Sequence, residues 1–188
     1  DRLEEALTAQ KCQLEIFRAL NDERETAAVL NNLGMTLMDM EKYQEARVAL
    51  QECLVLNESL QGVDSKNVVP TLDNLSDAQR NLGQLNEARA SAERALRIME
   101  ARYKEQEPTL YSTALFRNGE VLMAIGGAEN LNRAIELYQR SIAILKNQHE
   151  RHPNLPQAYE NLAVIYDKLG NADAAEEYRQ QKIRLEDG

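Results

Sequence analysis

The amino-acid sequence predicts an all-α chain, a solenoid of antiparallel helix pairs, on three observations. Leu30, Asn32, Leu33, Glu45, Ala46, Arg47, Leu54 and Glu58 return 42 residues later as Leu72, Asn74, Leu75, Glu87, Ala88, Arg89, Leu96 and Glu100. Independent helices do not give such a run of identities at one lag, whereas stacked copies of a single supersecondary unit do. Within each copy, apolar residues recur every three or four positions on either side of a short polar break, as in two amphipathic helices joined by a tight turn. Gly34 in the first helix, with Ala46 and Cys53 in the second, keeps the facing surfaces small and asks for close backbone approach.

Residues 1–22 predict a lone second helix, with Ala6, Leu14 and Ile16 at the places that Ala46, Leu54 and Leu56 hold in the next copy. Its missing partner leaves an apolar face to be covered by chain upstream or by another copy, so self-association through this helix is one reading. Asp1 in place of Met fits an excised fragment. Asn21 and Asp22 break the chain before the first full repeat, 23–64, at a junction about two residues tighter than the next one. In that repeat Leu30, Leu33 and Leu37 mark the first helix, and Tyr43, Ala46, Leu50, Cys53 and Leu54 the second. Gly62 is placed to stop a helix in a left-handed conformation, and Asp64 to Asn67 offer N-caps for the next one.

The repeat 65–106 sets Leu72, Leu75, Ser76, Gly83, Leu85, Ala88, Ala92, Ala95 and Ile98 on the same places, with Ser76 where Gly34 stood. The repeat 107–150 sets Leu115, Gly119, Leu122, Gly126, Leu131, Ala134, Tyr138 and Ser141 in line once Gly127 to Glu129 are allowed as a turn insertion. The last segment, 151–188, repeats the pattern through Tyr159, Leu162, Ala163, Tyr166, Gly170, Ala175 and Ile183. Arg179 and Lys182 there replace alanines and predict a polar capping face. Pro70, Pro108, Pro153 and Pro156 all fall near the start of a first helix, where the missing N–H has no partner to lose. The count is nine helices in about 4.5 repeats, read as one domain over residues 1–188.

Leu30, Leu33, Gly34, Leu37, Tyr43, Ala46, Leu50 and Cys53 follow the signature of the tetratricopeptide repeat (TPR), which this chain resembles over nearly its whole length. The long period, Asn31-Asn32-Leu33, Asp73-Asn74-Leu75, Glu160-Asn161-Leu162 and the HPNLPQAYENLA stretch are similar to the repeats of kinesin light chains. Long-period TPRs also occur in bacterial regulators, signal-transduction ATPases and cell-polarity adaptors. The resemblance implies a right-handed superhelix whose first helices line a concave groove for a protein or peptide. On that expectation Asn31, Asn32, Met35, Met38 and Asp39 line it from the first full repeat. Asp73, Asn74, Asp77, Arg80 and Asn81 follow from the next, and then Phe116, Arg117, Glu120, Met123 and Asn161. Val164 extends the row. Asn amides both donate to and accept from a peptide backbone, and Met offers an adaptable apolar surface. Some TPR domains clasp a C-terminal carboxylate with Lys and Arg. Here Arg80 and Arg117 stand among Asp39, Asp73, Asp77 and Glu120, so an extended or helical segment of mixed or basic charge is the better partner than an acidic tail. The alternatives are a regulatory or sensor module of a larger signalling protein and a kinesin-light-chain-like cargo adaptor.

Composition sets outer bounds. A net charge of −9 with no basic stripe argues against nucleic acid, whose phosphates ask for clustered Lys and Arg. No apolar run nears the roughly 18 residues of a membrane span, so the expectation is a soluble, cytoplasmic chain. Glu4, Glu5, Glu100, Glu105, Glu176 and Glu177 read as solvated helix exteriors. Cys12 and Cys53 occupy apolar helix places and read as buried free thiols. His149 and His152 straddle a helix end with no Cys beside them, so neither a metal nor another cofactor is expected. Gly126-Gly127 lacks the Lys-Ser/Thr of a phosphate loop, Cys53 lacks a nearby His, and the carboxylate neighbours do not converge, so no catalysis is expected.

The aligned pattern makes Ala88 a contact that tolerates no bulk. Ala88→Phe is expected to cost about 1–3 kcal/mol by overpacking, read as a lower urea midpoint at unchanged slope.

Overall fold

A computed structural model describes residues 2–148 and 152–187. Among them nine α-helices follow in order: α1 (Arg2–Ala19), α2 (Glu23–Asp39), α3 (Tyr43–Gln61), α4 (Val69–Asn81), α5 (Leu85–Ile98), α6 (Pro108–Ile125), α7 (Ala128–Gln148), α8 (Asn154–Lys168) and α9 (Ala172–Asp187). No strand occurs among the described residues, and the fold is the all-α arrangement of helix pairs that the repeat predicts. The chain forms two compact units, one from α1 to α5 ending at Ile98, the other starting at Met99 and holding α6 to α9. Within the first, each helix packs on the next from α1 to α5; within the second, the same holds from α6 to α9.

Each pair closes around a small residue of its first helix. A Cβ built on Gly34 would lie 2.6 Å from Leu50 Cγ, and one on Gly119 would lie 2.9 Å from the Tyr138 ring. Both Leu50 and Tyr138 are fully buried. Ser76, at the place of Gly34, faces a helix carrying Ala92 at the place of Leu50, and its Oγ donates to the Ala88 carbonyl at 3.0 Å. A slightly larger residue on the first helix thus stands with a smaller one at the facing place on the second. Asn118 breaks the pattern, since Leu33, Leu75 and Leu162 hold its place in the other pairs. It is 3% exposed, and its Nδ2 has no hydrogen-bond partner among the described residues.

One turn is used four times. In each, the third and second backbone N–H groups beyond the helix reach back five and three residues, as in Lys42 to the Leu37 carbonyl at 2.8 Å and Glu41 to Met38 at 2.9 Å. This Schellman closure needs a left-handed residue at its centre. The residues there are Asn21 (φ 52), Glu41 (φ 58), Gly83 (φ 73) and Gly170 (φ 77). Asp22 then caps α2 by accepting from the Glu25 N–H at 3.1 Å. Three residues therefore link α1 to α2, against seven between α3 and α4, where Ser65 caps the 3-10 turn Lys66–Val68.

Four details differ from the sequence expectations. The extra residues of the 107–150 repeat do not swell the turn: only Gly126 and Gly127 lie outside helices, and Ala128 and Glu129 open α7. An added turn of helix satisfies its own backbone, which a longer loop does not. On α1 it is Leu7 and Leu14, seven residues apart on one face, that are buried; Ala6 is half-buried and Ile16, pointing well away from that face, is 56% exposed. Cys12, about 140° round the helix from Leu7, is exposed as well, while Cys53 is buried as expected. Ile183 is 46% exposed because α9 holds α8 by other means: buried Ala175, Tyr178 stacked 5.6 Å from Tyr166, and the pairs Arg179–Asp167 and Lys182–Glu160.

The Gly34–Leu50 contact yields a check by mutant cycle. Gly34→Ala is expected to destabilise, the overpacking of about 1–3 kcal/mol outweighing a propensity gain of about 1 kcal/mol. Leu50→Ala leaves a cavity and is expected to cost about 2–5 kcal/mol alone. The double variant should lose less than the sum, measured by urea unfolding; additive losses would place the two residues out of contact.

Candidate functional site

The residues expected to face a ligand fall on two separate faces, one in each compact unit. On the first, α2 and α4 run side by side, because each is packed against α3. Asn74 on α4 donates through Nδ2 to Asn31 Oδ1 on α2 at 3.3 Å, and the Asn31 amide in turn lies 3.8 Å from Met35 Sδ. Met35 is 49% exposed, Asn32, Asp39 and Asn81 are exposed, and Asn31, Met38 and Asn74 are half-buried. Asp77 is the local anchor: Arg80 pairs with it, and Asn81 donates to its backbone carbonyl at 2.9 Å and its carboxylate at 3.2 Å. Asp73 differs from its neighbours in being only 3% exposed, so it belongs to the packing of α4 rather than to an open surface.

The second face, on α6 and α8, is more closed. Phe116 is 3% exposed and meets the Tyr138 ring edge-on at 5.5 Å. Arg117 lies over Phe116 and pairs with Glu120 at 2.8 Å. Asn161 is buried, donates to the Tyr138 hydroxyl at 3.0 Å and accepts from Gln157 at 3.0 Å. Met123 and Val164 are half-buried. The aligned position of Asn161 is that of Asn32 and Asn74, yet Asn161 meets the fully buried Tyr138 where Asn74 meets only the half-buried Asn31. The sequence could have signalled this: Tyr138 is the one aromatic at the place held by Leu50 and Ala92, and a buried phenol asks for a polar neighbour.

Neither arginine is available as a loose cation. Arg80 is held by Asp77 and Arg117 by Glu120, which leaves no clasp for a carboxylate on either face. Elsewhere, Glu100 is exposed but tied down, accepting from Arg140 at 2.8 Å and from the Tyr111 hydroxyl at 3.3 Å, an arrangement its place on a charged exterior does not suggest.

Burial pushes the Cys53 thiol up, and its Sγ donates to the Ala27 carbonyl at 3.1 Å, so the group is a packed thiol and not a poised thiolate. His149 lies outside the described residues; His152 accepts from the Asn154 N–H at 3.2 Å. Among the described residues no three His, Cys, Asp or Glu side chains gather as a metal site would require, and no helix is long and apolar enough to cross a membrane.

The comparisons with known proteins agree with the fold. The tetratricopeptide repeat family matches residues 25–101 and 112–184. Protein KINESIN LIGHT CHAIN-RELATED 3 of Arabidopsis thaliana is 23% identical over 152 residues, which are 81% of this chain and 23% of that protein. The chain thus spans about a quarter of the curated relative it matches. Among solved structures, a putative kinesin light chain from Podosopora anserina with nearly identical TPR-like repeats superposes with a TM-score of 0.76 at 20% identity, covering 97% of this chain and 86% of that one. BtubC (BKLC) from P. vanneervenii gives 0.75 at 16% identity, covering 99% and 91%, and MamA gives 0.66 at 20%, covering 98% and 89%. At these identities the structures speak for the fold.

The two cysteines separate by exposure, and a thiol reagent reads this directly. One equivalent, at Cys12, is expected to react in the native chain, with the second released only on unfolding; two fast equivalents would mean that Cys53 is not packed as described.

Proposed function

The chain belongs to the tetratricopeptide repeat family, and from that premise we propose that it is a protein-interaction module that binds a segment of a partner on its first-helix faces. The observation that carries this reading is the Asn31–Asn74 bridge beside exposed Met35, which holds two amides and one pliable apolar side chain in a fixed row on α2 and α4. Such a row offers donors and acceptors to a peptide backbone and an adaptable contact to one side chain. Preformed amides lower the ordering cost of binding.

What is already paired supports a reading of the partner's charge. Arg80 and Arg117 are engaged by Asp77 and Glu120, Asp39 is exposed, and the chain carries −9 overall. A segment of mixed or basic charge therefore meets favourable potential, and an acidic tail does not. In this reading the framework performs no chemistry, and the chain is a cytoplasmic scaffold and not an enzyme. Likeness to a kinesin light chain-related protein favours a cargo-adaptor form of it; a regulatory module of a larger protein shares the same face and differs in what it is joined to.

The test is selection of peptides from a random library on the purified chain, followed by titration with Asn74→Ala and Arg117→Ala variants. Wild-type binding that weakens about tenfold or more in the double variant, with unchanged helical circular dichroism, is the expected result. Binding that survives the substitutions would remove the first-helix faces from recognition, and lost helicity would make the two residues structural.

A further inference from the structure

Helices α1 and α3 run the same way along α2 without closing over it. Glu4, early in α1, meets Lys42 at the start of α3 at 3.6 Å, and Arg18, late in α1, meets Glu52 at 2.5 Å. Between these bridges lies a cleft of about 330 Å³, floored by Leu14, Leu33, Leu37 and Ala49. Val48 stands in it 56% exposed, and Val55, seven residues further along the same side of α3, is 57% exposed. Valine is a poor choice for an exposed helix position on propensity alone. The walls carry opposite signs: Lys11 lies on the α1 side and Glu45 on the α3 side, and neither has an ion-pair partner among the described residues.

We propose that this cleft is a second docking site, distinct from the α2–α4 face, for one amphipathic helix of a partner protein. The partner seats two aliphatic side chains, three or four residues apart, on the leucine floor. It turns a Lys or Arg toward Glu45 and an Asp or Glu toward Lys11. The span from Lys42 to Glu52 is about 15 Å at 1.5 Å per residue, close to three helical turns, which matches a groove read by anchors at that spacing. A strand has no purchase here, because the walls are helices whose backbone groups already bond internally. A second copy of this chain is disfavoured by repulsion between two bodies of −9. The bridges at either end do not lock the cleft, since exposed ion pairs of this kind contribute little to stability.

The cleft shares no residue with the α2–α4 face, so the two sites are tested apart. The probe is an alanine-based helical peptide of roughly four turns bearing a Leu pair with Lys on one flank and Glu on the other, set against a twin with the flanks exchanged. Backbone amide NMR of the full chain follows the titration. Saturable shifts at Leu14, Val48 and Ala49 are expected with one peptide and not its twin, and Val48→Asp should weaken that binding about tenfold or more while leaving the melting curve in place. Equal binding of the twins, binding indifferent to Val48→Asp, or shifts centred on Asn74 would overturn the proposal. So would a concentration-dependent dimer in sedimentation that Val48→Asp dissolves, which would give the cleft to a second copy.

Discussion

The whole arrangement depends on how close two helices of a pair can come, and one contact sets that distance. Gly34 leaves room for Leu50, and Gly119 leaves room for Tyr138, with less than 3 Å between each side chain and the place where a Cβ would sit. Dispersion and apolar burial at such a contact fall off steeply with any gap. The pair therefore has one good separation, and everything mounted on it inherits that precision. Ser76 shows the reciprocal solution, a larger residue on the first helix and Ala92 across from it on the second.

Fixed pairs make fixed faces. Because α2 and α4 both lean on α3, Asn31 and Asn74 come within 3.3 Å although they lie in different repeats. Polar groups that stand in line without ligand suit recognition better than ones that must first be ordered. The same logic closes the α6–α8 face, where Tyr138 fills the space beside Gly119 and then claims the amide of Asn161. One aromatic on a second helix thus makes a packing residue of an asparagine whose counterparts, Asn32 and Asn74, are more open.

Much of this was readable from the chain. The fixed lag located the pairs, glycine marked two of the four Schellman turns, and proline marked helix starts. What could not be read was local. Glu41 sits in the left-handed region at φ 58, a conformation disfavoured for a side chain with a Cβ, because the turn is set by the helices around it. Phe116, Asp73 and Asn161 hold positions one place from the packing leucines, yet all are buried, since a one-residue offset on a helix moves a side chain only about 100° and a bulky neighbour can still cover it. Alignment to the next repeat sets Ile16 on a packing place, yet α1 turns Leu7 inward and leaves Ile16 and Cys12 exposed. Asn118, at a leucine place, is a cost the pattern does not foresee.

Proton NMR of the free chain reaches the central contact without altering it. Close packing of the pairs predicts nuclear Overhauser contacts from the Gly34 α-protons to the Leu50 methyls, and Gly119 α-protons shifted upfield by the Tyr138 ring. Gly34 α-protons with no contact to Leu50, or a Gly119 signal at its ordinary position, would contradict the account.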